Sequence, residues 1–345
     1  MNTLNIKGRK IGKPYPPLVI AEIGINHNGN LDIAVEMAEA AISAGAEIVK
    51  HQTHIVEDEM SDEAKLVIPG NADRSIFHIM ESCALSEGDE FKLMKYIEQK
   101  GSIYLSTPFS RAAVERLQRF GVAAFKIGSG ECNNFPLVKY IARTGKPLIV
   151  STGMNSFETI DRTVNILRSA KVEFALLHCT NLYPTPPELV RLGSIIEMQM
   201  RYPDAVIGLS DHTIDNYACL GAVALGASIV ERHFTDSKSR IGPDICCSMD
   251  PHDLKELIYG VNTLFKERGG FKGRIPQEKI TEAFAHGSVV VTKDLHPGDV
   301  ITEENIWVRR PSGGDFGPSD YEFLMGKTVK NFVLANSRIK KDDLE

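Results

Sequence analysis

The chain has 345 residues, a formal net charge of −6, 43% hydrophobic and 24% charged residues, an ordinary globular composition with room for one large domain and a small one. The mildly acidic balance, without a run of Lys and Arg, speaks against nucleic acid, and no apolar stretch approaches the roughly 20 residues that a membrane helix needs. The N-terminus lacks an apolar export signal and the six cysteines form no CxxC pair, so a cytoplasmic location with reduced thiols is expected and a zinc–thiolate cluster is not.

After a polar N-terminal arm, Pro17–Gly24 reads as a strand, and Leu31–Ile42 carries apolar residues at helical spacing up to a stop at Gly45. Glu47–Thr53 is the next strand. Further strands follow at Ser102–Thr107, Ala123–Gly128, Pro147–Thr152, Phe174–Cys179, Ala205–Ser210 and Ser228–His233. Helical patterns separate them at Phe91–Gln99, Arg111–Phe120, Leu137–Arg143, Phe157–Ser169, Ile195–Met200 and Tyr217–Ala227, and a last one runs from His252 to Lys266. Short apolar strands alternating with helices imply a parallel sheet, and eight such units over about 250 residues suggest a (β/α)₈ barrel. A doubly wound open sheet normally uses fewer strands, and the first turn, Gly24-Ile-Asn-His-Asn-Gly29, is not a GxGxxG loop.

Two stretches interrupt the pattern. Val56–Lys65 with Ile68–Asp73 is a long acidic insertion after the second strand, of the kind that serves as a lid or binding loop. At Glu267–Gly273 glycine and charge take over. This divides the chain into residues 1–268, a linker at 269–284 and a small, mostly-β module at 285–345. In the module Ser288–Val291, Val300–Ile301, Trp307–Pro311 and Lys327–Val333 are short strand candidates.

The barrel strands end in polar residues although they are apolar one or two positions earlier. Their ends supply Glu22, Asn26 and His27; Lys50, Gln52 and His54; Ser106 and Thr107; Lys126, Ser129 and Glu131; Ser151 and Thr152; His178, Thr180, Asn181 and Tyr183; Ser210, Asp211 and His212; Glu231 and His233. In a barrel this end is the active-site face. His212 and His233 close adjacent strands of one strand–helix–strand unit, so both imidazoles face one cavity and suit a divalent transition metal. Two lysines with several hydroxyls suit a small phosphorylated anion, and no Walker loop is present. Glu22, Glu131 and Asp244 are carboxylates able to hold sugar hydroxyls or move protons.

The motifs Ala21-Glu-Ile-Gly-Ile-Asn-His-Asn-Gly29, Val49-Lys-His-Gln-Thr53, Ser106-Thr-Pro-Phe109, Phe125-Lys-Ile-Gly-Ser-Gly-Glu131, Ser151-Thr-Gly-Met154, Leu177-His-Cys-Thr180, Tyr183-Pro-Thr-Pro186, Ser210-Asp-His212 and Glu231-Arg-His-Phe234 resemble the bacterial N-acetylneuraminate (sialic acid) synthases. The C-terminal module resembles their antifreeze-like, or SAF, domain, a β-clip fold, so the likeness covers essentially the whole chain. It implies condensation of phosphoenolpyruvate with N-acetylmannosamine and water, as in capsule polysaccharide biosynthesis. It implies a divalent metal on His212 and His233, manganese first, with magnesium or cobalt as alternatives. The phosphoenolpyruvate set it implies is Lys50, Thr107, Lys126, Ser129, Ser151, Asn181, Tyr183 and Ser210. The sugar set is Glu131, Asp244 and Arg310, and Glu22 is the candidate proton carrier. It also implies a domain-swapped homodimer in which the SAF domain caps the other subunit's barrel. A diacetamido sugar or a 6-phosphorylated N-acetylmannosamine as acceptor, and a metal-dependent barrel aldolase, are the alternatives.

Overall fold

A strand sorts its residues alternately onto two faces, and here that alternation builds two separate apolar cores from the same eight runs. The computed structural model describes residues 3–68 and 74–345. A hairpin of β1 (Leu4–Ile6) and β2 (Arg9–Ile11) precedes eight parallel strands. These are β3 (Leu18–Gly24), β4 (Ile48–Thr53), β5 (Ile103–Pro108), β6 (Phe125–Ile127), β7 (Leu148–Ser151), β8 (Phe174–Cys179), β9 (Val206–Asp211) and β10 (Ile229–His233). They pair in the order β5-β4-β3-β10-β9-β8-β7-β6, and the two ends, β5 and β6, lie side by side, which closes a (β/α)₈ barrel.

One face of each strand meets the surrounding helices. The helix Leu31–Ser43 shows how: Ala34, Met37, Ala38 and Ala41 recur at helical spacing and are all buried. Side-chain caps start these helices, with Asn30, Ser86, Ser110 and Ser156 each accepting a backbone N–H of the first turn. The other face points to the barrel axis, where Ile20, Ile48, Leu105, Ile149, Leu177 and Ile229 pack together. Leu4, Ile6 and Ile11 join this inner cluster. The stretch expected as a polar arm is therefore a hairpin whose alternate residues complete the inner core, too short for its pattern to stand out in the sequence.

The acidic insertion after β4 contains a short helix, Val56–Glu59, and a 3₁₀ turn, Asp62–Lys65; its residues 69–73 lie outside the described residues, and the helix Ile76–Cys83 follows it. By contact density the chain divides into two compact units, Met1–Gly269 and Gly270–Glu345. In the second, β11 (Ser288–Val291) and β12 (Ile306–Arg309) form an antiparallel pair over a core of Val289, Val291, Leu295, Ile301, Ile306 and Phe316. The expected strand at 327–333 forms isolated bridges instead of a ladder, from Thr328 to Val300 and from Val333 to Leu295. Within the expected linker lies a helix, Lys279–Ala285, whose Ala283 carbonyl accepts from Ser312 N at 3.2 Å.

Behind β4 and β5, on the helix side, runs a buried polar network. Gly29 N–H donates to His27 Nδ1 at 3.1 Å, so His27 carries its proton on Nε2, 3.2 Å from His51 Nε2. His51 Nδ1 meets Tyr104 Oη at 3.2 Å, and Glu90 accepts from Tyr104 at 2.9 Å and from Arg116 at 3.0 Å. Burial, then the neighbouring His51, pulls His27 down to about 3. The unfolded chain therefore binds a proton that the folded chain refuses between about pH 6.5 and 3, and stability rises with pH in that window by up to about 1.4 kcal/mol per pH unit. The melting temperature should accordingly fall as pH drops below 6.5, and His27→Gln should fall less steeply. Parallel acid profiles would show that His27 is open to water.

Candidate active site

Toward the C-terminal ends of the strands, the inward positions turn from apolar to polar in steps of two. Ile20 is followed by Glu22, Ile48 by Lys50 and Gln52, Leu105 by Thr107, Ile149 by Ser151, and Ile229 by Glu231 and His233. The result is a buried charge cluster. Lys50 Nζ lies 2.8 Å from Glu22 Oε2 and 3.7 Å from Glu231 Oε1. Lys126 Nζ donates to Glu231 Oε1 at 2.8 Å, and Ser210 Oγ approaches the same oxygen at 3.3 Å. Thr107 Oγ1 accepts from Lys50 at 3.2 Å, and Glu22 Oε1 accepts from Gln52 Nε2 at 2.8 Å.

Two lysines and two glutamates make the cluster electroneutral. Burial pulls the Lys50 ammonium down, but Glu22 and Glu231 outweigh it and hold Lys50 above its ordinary value. Burial prevails at Lys126, which is lowered despite Glu231. Glu231 is pushed up by burial and more strongly down by Lys126 and Lys50, and so stays ionised. Glu231 Oε2 and Ser151 Oγ are buried without a hydrogen-bond partner among the described residues. Such orphans suit a ligand that brings its own donors and acceptors.

His212 and His233 lie beside this cluster with ring centroids 5.3 Å apart. His212 Nδ1 donates to the Thr180 carbonyl at 2.9 Å, which leaves Nε2 with a free lone pair. Burial, then His233, pulls His212 down to about 3, so its ring is neutral at pH 7. Among the described residues His233 Nδ1 is buried without a hydrogen-bond partner, 3.5 Å from Asp244 Oδ2. A neutral imidazole with a free nitrogen beside a second, unpartnered one fits a divalent transition metal. Asp250, His252 and Asp253 are also spaced to hold an ion. There, however, Asp250 and Asp253 cap the helix Pro251–Glu267 and Lys238 lies 2.5 Å from Asp253 Oδ2, so those carboxylates are already engaged.

The remaining expected residues of the first unit border the same mouth. Ser129 Oγ accepts from Gly153 N at 3.1 Å, and a Cβ on Gly153 would lie 1.8 Å from Asn181 Oδ1, so only glycine lets Asn181 come this close. The Tyr183 ring lies 4.1 Å from the His212 ring. Asp244 is held by Asn26, whose Oδ1 accepts from Asp244 N at 3.1 Å while its Nδ2 donates to Phe234 O at 3.1 Å. Burial, with Glu59 adding to it, pushes Glu131 up to about 7. Arg310 belongs to the second unit, where it is exposed and has no side-chain partner among the described residues, whereas Arg309 donates to Asn336.

Other polar strand-end residues turn away from the axis. Ser106 bonds to Thr53 and the His51 carbonyl, Thr152 to the Leu177 carbonyl, and His178 to the Val190 carbonyl. Asp211 pairs with Arg232 at 3.3 Å. Of the two acids flanking the histidines, Glu231 alone enters the site. Sequence reasoning noted Glu231 and Gln52 at strand ends without assigning them a role; counting in twos from Ile229 and Ile48 would have placed both inside.

A NeuB family profile matches residues 37–272, and a SAF domain profile matches residues 286–345. The chain is 34% identical over 336 residues to N,N'-diacetyllegionaminic acid synthase of Campylobacter jejuni, covering 95% of this chain and 98% of that one. It is 33% identical over 340 residues to human N-acetylneuraminate-9-phosphate synthase, covering 97% and 94%. Among solved structures, the N-acetylneuraminic acid synthetase of Leptospira borgpetersenii superposes with a TM-score of 0.75 at 28% identity, over 81% of this chain and 95% of that one.

The charge cluster carries its own test. Lys126→Met leaves Glu231 buried with one cation fewer, and should cost about 3–5 kcal/mol in urea unfolding. Adding Glu231→Gln should recover part of that loss. A cost under about 1 kcal/mol would show that Lys50 and solvent sustain the Glu231 charge without Lys126.

Proposed function

The chain belongs to the NeuB family, as an enzyme of the sugar-acid synthase kind with a SAF domain, and from that premise we propose that it condenses phosphoenolpyruvate with N-acetylmannosamine and water to give N-acetylneuraminate and phosphate. The observation that carries the reading is the buried Glu22–Lys50–Glu231–Lys126 cluster beside the paired rings of His212 and His233.

Lys50 and Lys126 have N–H groups to spare and bind the carboxylate and phosphate of phosphoenolpyruvate, with Thr107, Ser129, Ser151, Asn181, Tyr183 and Ser210 as neutral partners. Glu131 and Asp244 hold the sugar. When bound by His212 and His233, a divalent metal, manganese in this reading, supplies Lewis-acid polarisation of the open-chain sugar aldehyde. The methylene carbon of the enol attacks that aldehyde, water adds at the neighbouring carbon that bears the phosphate oxygen, and the bond from that carbon to oxygen breaks to release phosphate. Glu22 is placed to take the proton that the added water gives up and pass it to the departing phosphate.

The acceptor is the finer part of the proposal. A diacetamido sugar is the second reading, favoured by the likeness to the legionaminic acid synthase. Mass spectrometry of the product from phosphoenolpyruvate and manganese with N-acetylmannosamine, its 6-phosphate or a diacetamido hexose decides among them. The expected result is N-acetylneuraminate and phosphate, formed only when both substrates are present and lost on chelation. Phosphate release without a sugar, or full activity in metal-free protein, would overturn the proposal.

In this reading the enzyme works in the cytoplasm as a homodimer, and Arg310 of one subunit completes the sugar site of the other. Mixing His212→Ala subunits with Arg310→Ala subunits, under conditions that exchange partners, should then restore activity. The mixed dimer contains one site with an intact barrel and an intact Arg310. Verified mixed dimers that stay inactive would refute the exchange.

A further inference from the structure

The short helix Val56–Glu59 is connected to the central acid through a chain of side chains. Glu59 Oε2 lies 2.8 Å from His54 Nδ1, His54 Nε2 lies 3.2 Å from Gln52 Oε1, and Gln52 Nε2 lies 2.8 Å from Glu22 Oε1. The donor roles follow by elimination. A carboxylate oxygen only accepts, so Gln52 presents its NH₂ group to Glu22 and its oxygen to His54. That amide oxygen also only accepts, so His54 Nε2 donates. Glu59 Oε2 is the partner of the other ring nitrogen, Nδ1, so both nitrogens of His54 are engaged.

The surroundings hold this arrangement rigid. The His54 side chain is 2% exposed and its ring stacks on Phe109 at 4.4 Å with an 11° tilt. The helix itself is fastened by Asp58 Oδ2, which accepts from Ala112 N at 2.8 Å, at the start of the helix Arg111–Phe120. At the inner end the two oxygens of Glu22 differ. Oε1 is taken by Gln52, while Oε2 lies against Lys50 without an aligned hydrogen bond.

We propose that His54 and Glu59 are positioning residues for Glu22: they lock the Gln52 amide so that it donates to Oε1 and leaves Oε2, beside Lys50, as the oxygen open to substrate. The proposal rests on the role given to Glu22 above and extends the working machinery into the acidic insertion. Without His54 the Gln52 amide is free to turn, and its oxygen then repels Glu22 away from Lys50.

The test joins kinetics to a crystal structure. His54→Leu and Glu59→Ala should each lower kcat for phosphate release about tenfold or more, the usual range for losing a supporting hydrogen bond, and His54→Leu should leave KM for both substrates within about twofold. The double variant should be no slower than the slower single variant, because both cut one chain. His54→Gln, which keeps an N–H to offer Gln52, should recover part of kcat. Unchanged kcat in both single variants, multiplied losses in the double variant, or a rise in KM alone would overturn the proposal. Glu59→Ala lies on the short helix away from the core and serves if His54→Leu does not fold. Independently of turnover, the crystal structure of either variant should show Glu22 moved off Lys50. Glu22 in its wild-type place refutes the positioning role even in an enzyme inactive on these substrates, whereas a displaced Glu22 in such an enzyme would fault only the proposed function.

Discussion

Four charges packed into the mouth of an apolar barrel, those of Glu22, Lys50, Lys126 and Glu231, constrain everything around them. Each ion removed from water costs several kcal/mol, and attraction between partners repays this only in good geometry. A buried pair of this kind seldom improves on apolar residues for stability. The layer of Ile20, Ile48, Leu105, Ile149 and Ile229 beneath the cluster, joined by Leu4, Ile6 and Ile11 of the hairpin, supplies the hydrophobic burial that offsets it.

The polar residues on the outer side of the same strands serve the site indirectly. Arg232 pairs with Asp211 and donates to Asn216 at 2.6 Å and to the Thr213 carbonyl at 2.8 Å, which fastens the turn that follows His212. Asn26 joins the end of β10 to the Asp244 loop. The His27–His51–Glu90–Arg116 network ties β4 and β5 to their helices. A cluster of opposed charges needs rigid walls, because a small outward shift lets water in and the mutual attraction fades.

The barrel was legible because its signals are local. Apolar runs of strand length with helical spacing between them identify the eight repeats with boundaries mostly within two residues. The features missed were short or depended on distant partners. The three-residue strands Leu4–Ile6 and Arg9–Ile11 are too brief for a pattern, and the helix Ile76–Cys83, between the acidic insertion and the next helix, spans only eight residues. Lys327–Val333 has strand-like composition but pairs only at single residues. In the site, the equivalence of His212 and His233 could be read from the chain, whereas the Thr180 carbonyl that leaves His212 Nε2 free could not.

The sequence by itself determined the repeat, the polar crown on its strands, the paired histidines and the family motifs, since each is a pattern within a few neighbouring residues. The tertiary structure decided which member of each adjacent pair enters the barrel: Glu231 and not Asp211, Thr107 and not Ser106. It also decided that the two lysines are already neutralised, and that Glu59 communicates with Glu22 through His54 and Gln52. The reason is physical. Coulombic and hydrogen-bond partners such as Lys126 and Glu231 are 105 positions apart in the chain. They meet only through strand order and register, and the sign and strength of an electrostatic contact depend on that final separation and burial.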